Sequence, residues 1–257
     1  MTRNNILSRT LPLIIIISAQ SFFTSDSVAK ETQGVSAKTI LEKSDNIRFP
    51  KQDFQVNVRI TSSKTDRKPD IKKYQIVSKG NENSLVITTA PASEKGQILL
   101  MKRRNLWVYL PNISQPVRLP LSQRLTGQVA NGDLARANFL GDYEPTLLRT
   151  ETVKGKKHYV LGLEANDRSV TYRKVTLWVD QSNFRPYKAE FYTISGRLMK
   201  TAYYENFKKM ADEMRPTRLV MIDALRKGEQ SLLEYSNMQI RDLPEKMFTK
   251  NYLKKLQ

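Results

Sequence analysis

The sequence predicts a mainly β protein (α+β), in which one long, curled antiparallel sheet carries a few helices on its concave side. Two observations support this prediction. Apolar and polar residues alternate in short runs between Phe54 and Ile240, and most of these runs are joined by short turns containing Gly or Asn. Strands joined by short hairpins form an antiparallel meander, and a sheet of about eleven twisted strands must curl.

The first half of the chain opens with a predicted amphipathic helix from Ser36 to Asp45. Phe54, Val56, Val58 and Ile60 then alternate with polar residues, which is typical of a half-buried strand. The next predicted strands span residues 71–78, 84–89, 98–101 and 106–110.

The stretch from Gly96 to Tyr143 is the centre of the predicted organisation. Leu106, Val108 and Leu110 share one face of their strand, and Trp107 and Tyr109 share the other, so we expect both faces to be covered. Further on, Asp133 can cap a short helix that carries Leu134, Ala135 and Ala137. Two strands followed by a short helical lid could enclose an apolar ligand, but the same residues could equally form an ordinary core.

The second half continues the strand pattern after Pro145. Its predicted strands span residues 147–153, 158–163, 170–179, 187–194, 198–207, 219–225 and 231–240. From Pro244 to Leu256 an apolar stripe lies opposite lysines, which predicts a C-terminal helix.

The N-terminus has the features of a secretory signal peptide. Arg3 and Arg9 give a positively charged segment before an apolar run over residues 11–17, and Ser27-Val28-Ala29 has the form of a cleavage site. We therefore expect residues 1–29 to be removed and residues 30–257 to form a single exported, soluble, periplasmic domain. The chain has no cysteine, which excludes disulfides and an N-terminal lipid anchor attached to cysteine.

The formal net charge of +18 favours anionic partners. Export argues against nucleic acid, so an anionic membrane surface is the simpler interpretation. A basic soluble protein without such a partner is the alternative, because the lysines and arginines are spread along the chain.

The sequence contains no recognisable catalytic or metal-binding pattern. His158 is the only histidine, and we expect it at the surface. There is no Gly-x-Ser-x-Gly motif, no phosphate-binding loop and no cluster of histidines. The sequence therefore predicts that the protein is not an enzyme and has neither a cofactor nor a metal.

Several motifs, in their order along the chain, resemble the outer membrane lipoprotein-sorting family of periplasmic proteins, the LolA-like proteins. The motifs are Phe49-Pro50 with Asp53-Phe54, residues 106–111, Gly127, Asp133-Leu134, residues 177–180 with Pro186, residues 195–200, Pro216-Thr217 and residues 248–253. The chain departs from the family's common pattern at residues 125–132, where an aromatic-rich stretch containing Met-Gly is usual.

The resemblance implies an unclosed β-barrel capped by helices, with an apolar cavity for acyl chains. It suggests a monomeric carrier of lipid or lipoprotein acyl chains toward the outer membrane, opened by movement of the lid. An inner-membrane transporter is a further possible partner. The residues that we expect in the cavity wall are Trp107, Tyr109, Leu125, Leu134, Phe139, Trp178 and Tyr192.

Three alternatives belong to other functional classes. Related half-barrel domains report envelope stress through a membrane-bound partner, and others assist lipid-exporting transporters. An envelope enzyme would require paired carboxylates that meet in space from distant strands.

Overall fold

The computed structural model of the protein describes residues 1, 34–111, 113, 115–136 and 138–253. Residues 2–29 of the predicted signal peptide and residues 254–256 of the predicted C-terminal helix lie outside these residues. Within them, no helix has the length and apolar character needed to cross a membrane.

Strands dominate the described part of the chain. Their bounds are β1 (Phe54–Ser63), β2 (Asp70–Lys79), β3 (Asn83–Ala90), β4 (Ile98–Lys102), β5 (Asn105–Tyr109), β6 (Val117–Leu119), β7 (Arg124–Thr126), β8 (Val129–Ala130), β9 (Tyr143–Val153), β10 (Lys156–Ala165), β11 (Lys174–Asp180), β12 (Pro186–Tyr192), β13 (Leu198–Met210), β14 (Glu213–Asp223) and β15 (Gln230–Ile240). The helices are α1 (Ala37–Arg48), α2 (Asn131–Ala135), α3 (Phe139–Asp142), a 3-10 helix (Glu245–Phe248) and α4 (Lys250–Leu253).

Thirteen of these strands form one antiparallel sheet in the order β6-β5-β4-β3-β2-β1-β15-β14-β13-β12-β11-β10-β9. Two meanders, β1 to β6 and β9 to β15, are joined where β1 pairs with β15, from Phe54 opposite Ile240 to Ser63 opposite Gln230. In the described ranges β6 and β9 form the two edges and do not pair with each other, so the sheet is open. The predicted open, mainly β architecture is confirmed.

The predicted count of about eleven strands is too low. The sheet contains 13 strands, and β7 and β8 form a separate two-stranded hairpin. The strands β6, β7 and β8 are only two or three residues long, which is too short for an alternating pattern to be visible in the sequence.

The hairpin β7–β8 packs tightly on the middle of the sheet through Gly127. This residue has φ +49°, and a Cβ atom built on it would lie 2.1 Å from Ser62 Oγ and 2.2 Å from Ser231 Oγ. The two serine hydroxyls are 2.9 Å apart, and Ser231 Oγ accepts the backbone N–H of Gln128. Only glycine combines this backbone conformation with so close an approach.

The two faces of the sheet are covered differently. We call the face that carries α1, α2 and α3 the inner face and the opposite one the outer face. Ile40 and Leu41 of α1 pack with the buried residues of β1 and with Leu134, Ala135 and Phe139 on the inner face. On the outer face a smaller cluster joins β2–β5 to the C-terminal residues Leu243, Phe248 and Leu253.

The helices differ in detail from those expected. The N-terminal helix is confirmed, with Ser36 as its N-cap and its side chain accepting the N–H of Thr39. Asp133 is not the N-cap of α2, because Ala130 takes that position. Asp133 is the third residue of the helix, and its carboxylate accepts the N–H of Ala130 at 2.8 Å. The predicted C-terminal helix is divided in two, because Thr249 is extended at φ −130°. Residue 137 lies outside the described residues.

Candidate functional site

The candidate site is a small internal cavity between the inner face of the sheet and the three helices. Its volume is about 40 Å³, which is room for only a few water molecules. Aromatic and apolar side chains provide most of the wall, and they include Phe139, Tyr143, Tyr172, Phe191, Tyr204, Leu219, Met221 and Tyr235. Four charged side chains, those of Arg48, Asp133, Arg136 and Asp142, also reach the cavity.

We call residues 131–142 the cover segment, because α2 and α3 close the cavity. Asp133, in α2, is bound to the sheet by a polar cluster. Lys200 Nζ lies 2.9 Å from Asp133 Oδ2, and the hydroxyl of Tyr172 donates to the same carboxylate at 2.8 Å. Lys200 also donates to the carbonyl oxygen of Gln128. The side chains of Lys200 and Asp133 are only 6% and 8% exposed, so this ion pair is buried.

A second buried ion pair lies inside the cover segment. Arg136 binds Asp142 with two nitrogens, at 2.6 Å and 2.7 Å, and donates to the carbonyl oxygen of Arg103 at 2.9 Å. Arg104, in the turn after β4, also donates to Asp142, at 3.4 Å, and to the carbonyl oxygen of Gly141. These contacts attach the end of the cover segment to the turn between β4 and β5.

The third attachment is to α1. The guanidinium of Arg48 lies 3.7 Å from the centre of the Phe139 ring and forms an ion pair with Asp45 at 2.6 Å. Asp45 also accepts the N–H of Leu140 at 2.8 Å. Burial raises the pKa of Asp45, although Arg48 and the N–H of Leu140 oppose this shift.

The phenols around the cavity remain neutral. Burial raises the pKa of Tyr143, Tyr172 and Tyr235, and the nearby charge of Asp133 adds to the shift at Tyr172. Tyr143 donates its hydroxyl to the carbonyl oxygen of Tyr172 at 3.0 Å, and its ring packs edge-on against Phe139 at 5.5 Å. The aromatic wall is therefore a neutral, largely apolar surface with a few satisfied polar atoms.

Three of the seven predicted cavity residues lie on the inner side. Phe139 lines the cavity, Leu134 is buried in the same cluster, and Leu125 packs partly buried against it. Leu134 and Phe139 lie in the cover segment, and Leu125 lies in the hairpin β7–β8.

The other four predicted residues lie on the outer face. Trp107 and Tyr109 pack under the C-terminal helices, where the hydroxyl of Tyr109 donates to the carbonyl oxygen of Lys250. Trp178 donates its ring N–H to Glu151 and has Lys188 Nζ 3.7 Å from its ring. Tyr192 donates to Glu190 at 2.6 Å. Side chains point to opposite faces at successive residues of a strand, so neighbours such as Val108, Leu177 and Phe191 face inward and these four aromatics do not.

Arg48, Tyr172 and Lys200 are cavity or cover-segment contacts that were not predicted from the sequence. The alternation of residues along β13 gives one signal for Lys200. Lys200 and Tyr204 share the face of Ala202, and Ala202 is fully buried in the inner cluster. Without the pairing of strands, however, the sequence does not show which face points inward.

We expected His158 at the surface, but it is buried and only 2% exposed. Its Nδ1 lies 2.9 Å from the carbonyl oxygen of Lys156, and its ring packs against Tyr187. In the described part of the chain, no three His, Cys, Asp or Glu side chains are grouped so that they could hold a metal ion.

Comparison with solved structures places the chain among known proteins. The LolA superfamily protein NE2245 from Nitrosomonas europaea is 63% identical, with a TM-score of 0.82, over 85% of this chain and 100% of that one. This chain belongs to the LolA superfamily. A family model described as "-like: Uncharacterized protein" matches residues 80–255. No curated protein matches the sequence significantly.

Two more distant members of this fold extend the comparison. A domain described as an outer membrane lipoprotein-sorting protein from Vibrio parahaemolyticus is 22% identical, with a TM-score of 0.72, over 85% of this chain and 98% of that one. A DUF1329 family protein from Desulfovibrio piger is 20% identical, with the same TM-score, over 84% and 97% of the two chains. At these identities the likeness concerns the fold alone.

Proposed function

We propose that this protein is an exported periplasmic carrier that binds the acyl chains of a lipid or lipoprotein and shields them during transfer toward the outer membrane. The observation that carries the proposal is the cover segment. Beside α1, this part of the apolar inner face is covered in the described residues by two short helices, α2 and α3, and not by a second sheet. Membership of the LolA superfamily, and the likeness to a lipoprotein-sorting fold, support a binding role without covalent chemistry.

The cavity in this structure is too small for such a cargo. Pockets that bind organic ligands have volumes of about 300–1,000 Å³, whereas this one has about 40 Å³. The structure therefore corresponds to the closed state of the proposed carrier. Binding requires the cover segment to move away from the sheet, so that the cargo takes the place of Leu134 and Phe139.

The free energy of burying apolar surface favours this exchange when the acyl chain is long. Exposing Leu134 and Phe139 costs about 1.5–3 kcal/mol for each side chain, and burying a methylene contributes about 0.8 kcal/mol. Roughly four to eight buried methylenes therefore offset the lost burial of both residues. Longer acyl chains bind with net gain, whereas short-chain acids leave the protein closed.

The polar contacts of the cover segment determine how the closed state is restored. Asp133, Asp142 and Leu140 each have a defined partner on the sheet, on a turn or on α1. Buried charges without partners are costly, so opening is favourable only if water or cargo headgroups satisfy these groups. We expect release of the cargo to a membrane-bound partner, such as an inner-membrane transporter or an outer membrane acceptor, to end with these contacts formed again.

The proposal is tested by expressing the chain with its own N-terminal segment, purifying it from the periplasm and recording native mass spectra before and after organic extraction. We expect a monomer that carries phospholipid or acylated peptide in fixed ratio. The same preparation, once extracted, should take up a fluorescent long-chain fatty acid and not a short-chain analogue. A mass without adducts, together with no uptake of the long-chain probe, would overturn the proposal.

A further inference from the structure

Two neighbouring turns at one end of the sheet expose large apolar side chains. Ile194, in the turn between β12 and β13, is 88% exposed, and Leu225, in the turn between β14 and β15, is 58% exposed. The second turn is bound to the start of β13, next to the first turn, by a hydrogen bond from the N–H of Ala224 to the carbonyl oxygen of Met199, at 3.0 Å. Met199 is itself 39% exposed. Side chains of this kind, grouped at loop tips, are typical of surfaces that contact an apolar partner.

The same end of the sheet carries an excess of positive charge. The turn between β1 and β2 contacts the turn between β14 and β15, because Thr65 Oγ1 donates to the carbonyl oxygen of Lys227 at 3.5 Å. We call these three turns, residues 64–68, 193–197 and 224–229, the hairpin end. Its basic side chains are Lys64, Arg67, Lys68, Arg197, Arg226 and Lys227, and its acidic ones are Asp66 and Glu229.

Asp223 and Glu229, the acidic groups near the apolar tips, are partly buried against the protein, whereas Asp66 in the turn between β1 and β2 is exposed. Asp223, which precedes the turn, accepts the N–H groups of Leu225 and Arg226. Glu229 is partly buried and accepts from Gln128 Nε2, with Arg226 Nη1 at 3.7 Å. The exposed guanidinium and ammonium groups therefore dominate the field at the tips of the turns.

A cleft of about 160 Å³ opens between these turns and the hairpin β7–β8. Thr193, Arg197, Met199 and Leu225 form its rim on the side of the hairpin end. Lys200 and Tyr172 also line the cleft, and these are the two residues that hold Asp133 of the cover segment. The hairpin end is thus continuous with the contact that closes the inner cavity.

We propose that the hairpin end docks on the surface of an anionic phospholipid bilayer. Ile194 and Leu225 enter the interfacial region, and Arg197, Arg226 and Lys227 lie among the lipid phosphates. Charge complementarity favours this partner, because basic residues beside apolar tips match an anionic, apolar interface and the whole chain has a net charge of +18. As a route for cargo this surface rests on the proposed function, but docking itself is measured without cargo.

Co-sedimentation with vesicles tests the docking. One set of vesicles contains phosphatidylcholine alone, and the other contains about one quarter phosphatidylglycerol. We expect the protein to bind only the anionic set, with binding that weakens as salt is added. Each cation near such a surface strengthens binding about fivefold, so Arg197→Glu with Arg226→Glu should weaken it at least about 25-fold. Ile194→Asp with Leu225→Asp should weaken it at least about tenfold, because the aspartates oppose insertion.

A matched control lies at the opposite end of the same strands. Met214 is 41% exposed and the side chain of Lys209 is 72% exposed, in the hairpin between β13 and β14. Met214→Asp with Lys209→Glu combines one apolar-to-acidic change with one charge reversal, and we expect it to leave binding within about twofold. Circular dichroism of each variant establishes that it is folded.

The docking proposal is overturned if the unaltered protein does not bind anionic vesicles, or if the control variant loses as much binding as the hairpin-end variants. The long-chain probe separates this result from the proposed carrier function, because probe uptake is measured without vesicles. Vesicle binding without probe uptake would contradict the carrier function and support the docking surface. Probe uptake without vesicle binding would support the carrier function and contradict the docking surface.

Discussion

Lys200 and Asp133 form an ion pair of 2.9 Å with less than a tenth of either side chain exposed. They are 67 residues apart in the chain, and the pair joins β13 to α2. Buried ion pairs contribute little net stability, but loss of one partner is costly because it leaves the other charge buried. This contact therefore joins α2 to the sheet at a defined point.

Lys200→Met should lower the free energy of unfolding by about 3–5 kcal/mol, because Asp133 is then left as a buried charge without its cation. Urea unfolding measures this change. The double variant Asp133→Asn/Lys200→Met keeps an acceptor for Tyr172 and for the N–H of Ala130, so it should recover more than half of the loss. A loss below about 0.5 kcal/mol for Lys200→Met would contradict the role of the pair.

A disulfide can test whether the cover segment must move. A Cβ atom built on Gly132 lies 3.1 Å from Cβ of Thr171, within a few tenths of an ångström of disulfide geometry. The chain has no cysteine, so Gly132→Cys with Thr171→Cys introduces a single possible bridge. We expect the oxidised variant to exclude the long-chain fluorescent probe and the reduced variant to bind it. Thr171→Cys alone, treated with the same oxidant, is the control, and equal uptake by both oxidised proteins would refute the movement.

Phe139 and Trp107 should respond differently to truncation. Phe139 lines the cavity, whereas Trp107 lies on the outer face under the C-terminal helices. Phe139→Ala should raise the affinity for the probe at least threefold, because the ring competes with cargo for the same space. Trp107→Ala should change only stability, by about 1–4 kcal/mol for a partly buried ring. A probe titration, with urea unfolding of both variants, distinguishes these outcomes, and equal effects on affinity would argue against an inner-face site.

Gly127→Ala should destabilise the protein by more than about 2 kcal/mol, because the new methyl group meets both serine hydroxyls and the backbone has a positive φ. Gly155→Ala is the matched control. It also has a positive φ, of +76°, but no atom lies within 4 Å of the added carbon, so only the backbone strain of about 1 kcal/mol remains. Urea unfolding compares the two variants, and similar losses would show that the close approach of β7–β8 is unimportant.

The alternation of residues predicted most strands correctly, because the period of two depends only on local geometry. It worked best where one face is buried, as in β1, where Phe54, Val56, Val58 and Ile60 are all at most 2% exposed. It could not decide which face of β5 or β11 points inward, because both faces of these strands are apolar. As a result, Trp107 and Trp178 were assigned to the cavity wall and lie outside it.

The sequence alone determined that the protein is mainly β, that its strands follow one another in hairpins, and that its family is that of the lipoprotein-sorting proteins. These properties depend on short-range patterns and on the order of motifs along the chain. Only the tertiary structure decided that β1 pairs with β15, that Asp133 meets Lys200, and that the cavity is closed. Each of these depends on contacts between residues far apart in the chain, which leave no period in the sequence because the groups that meet are chosen by strand pairing and packing.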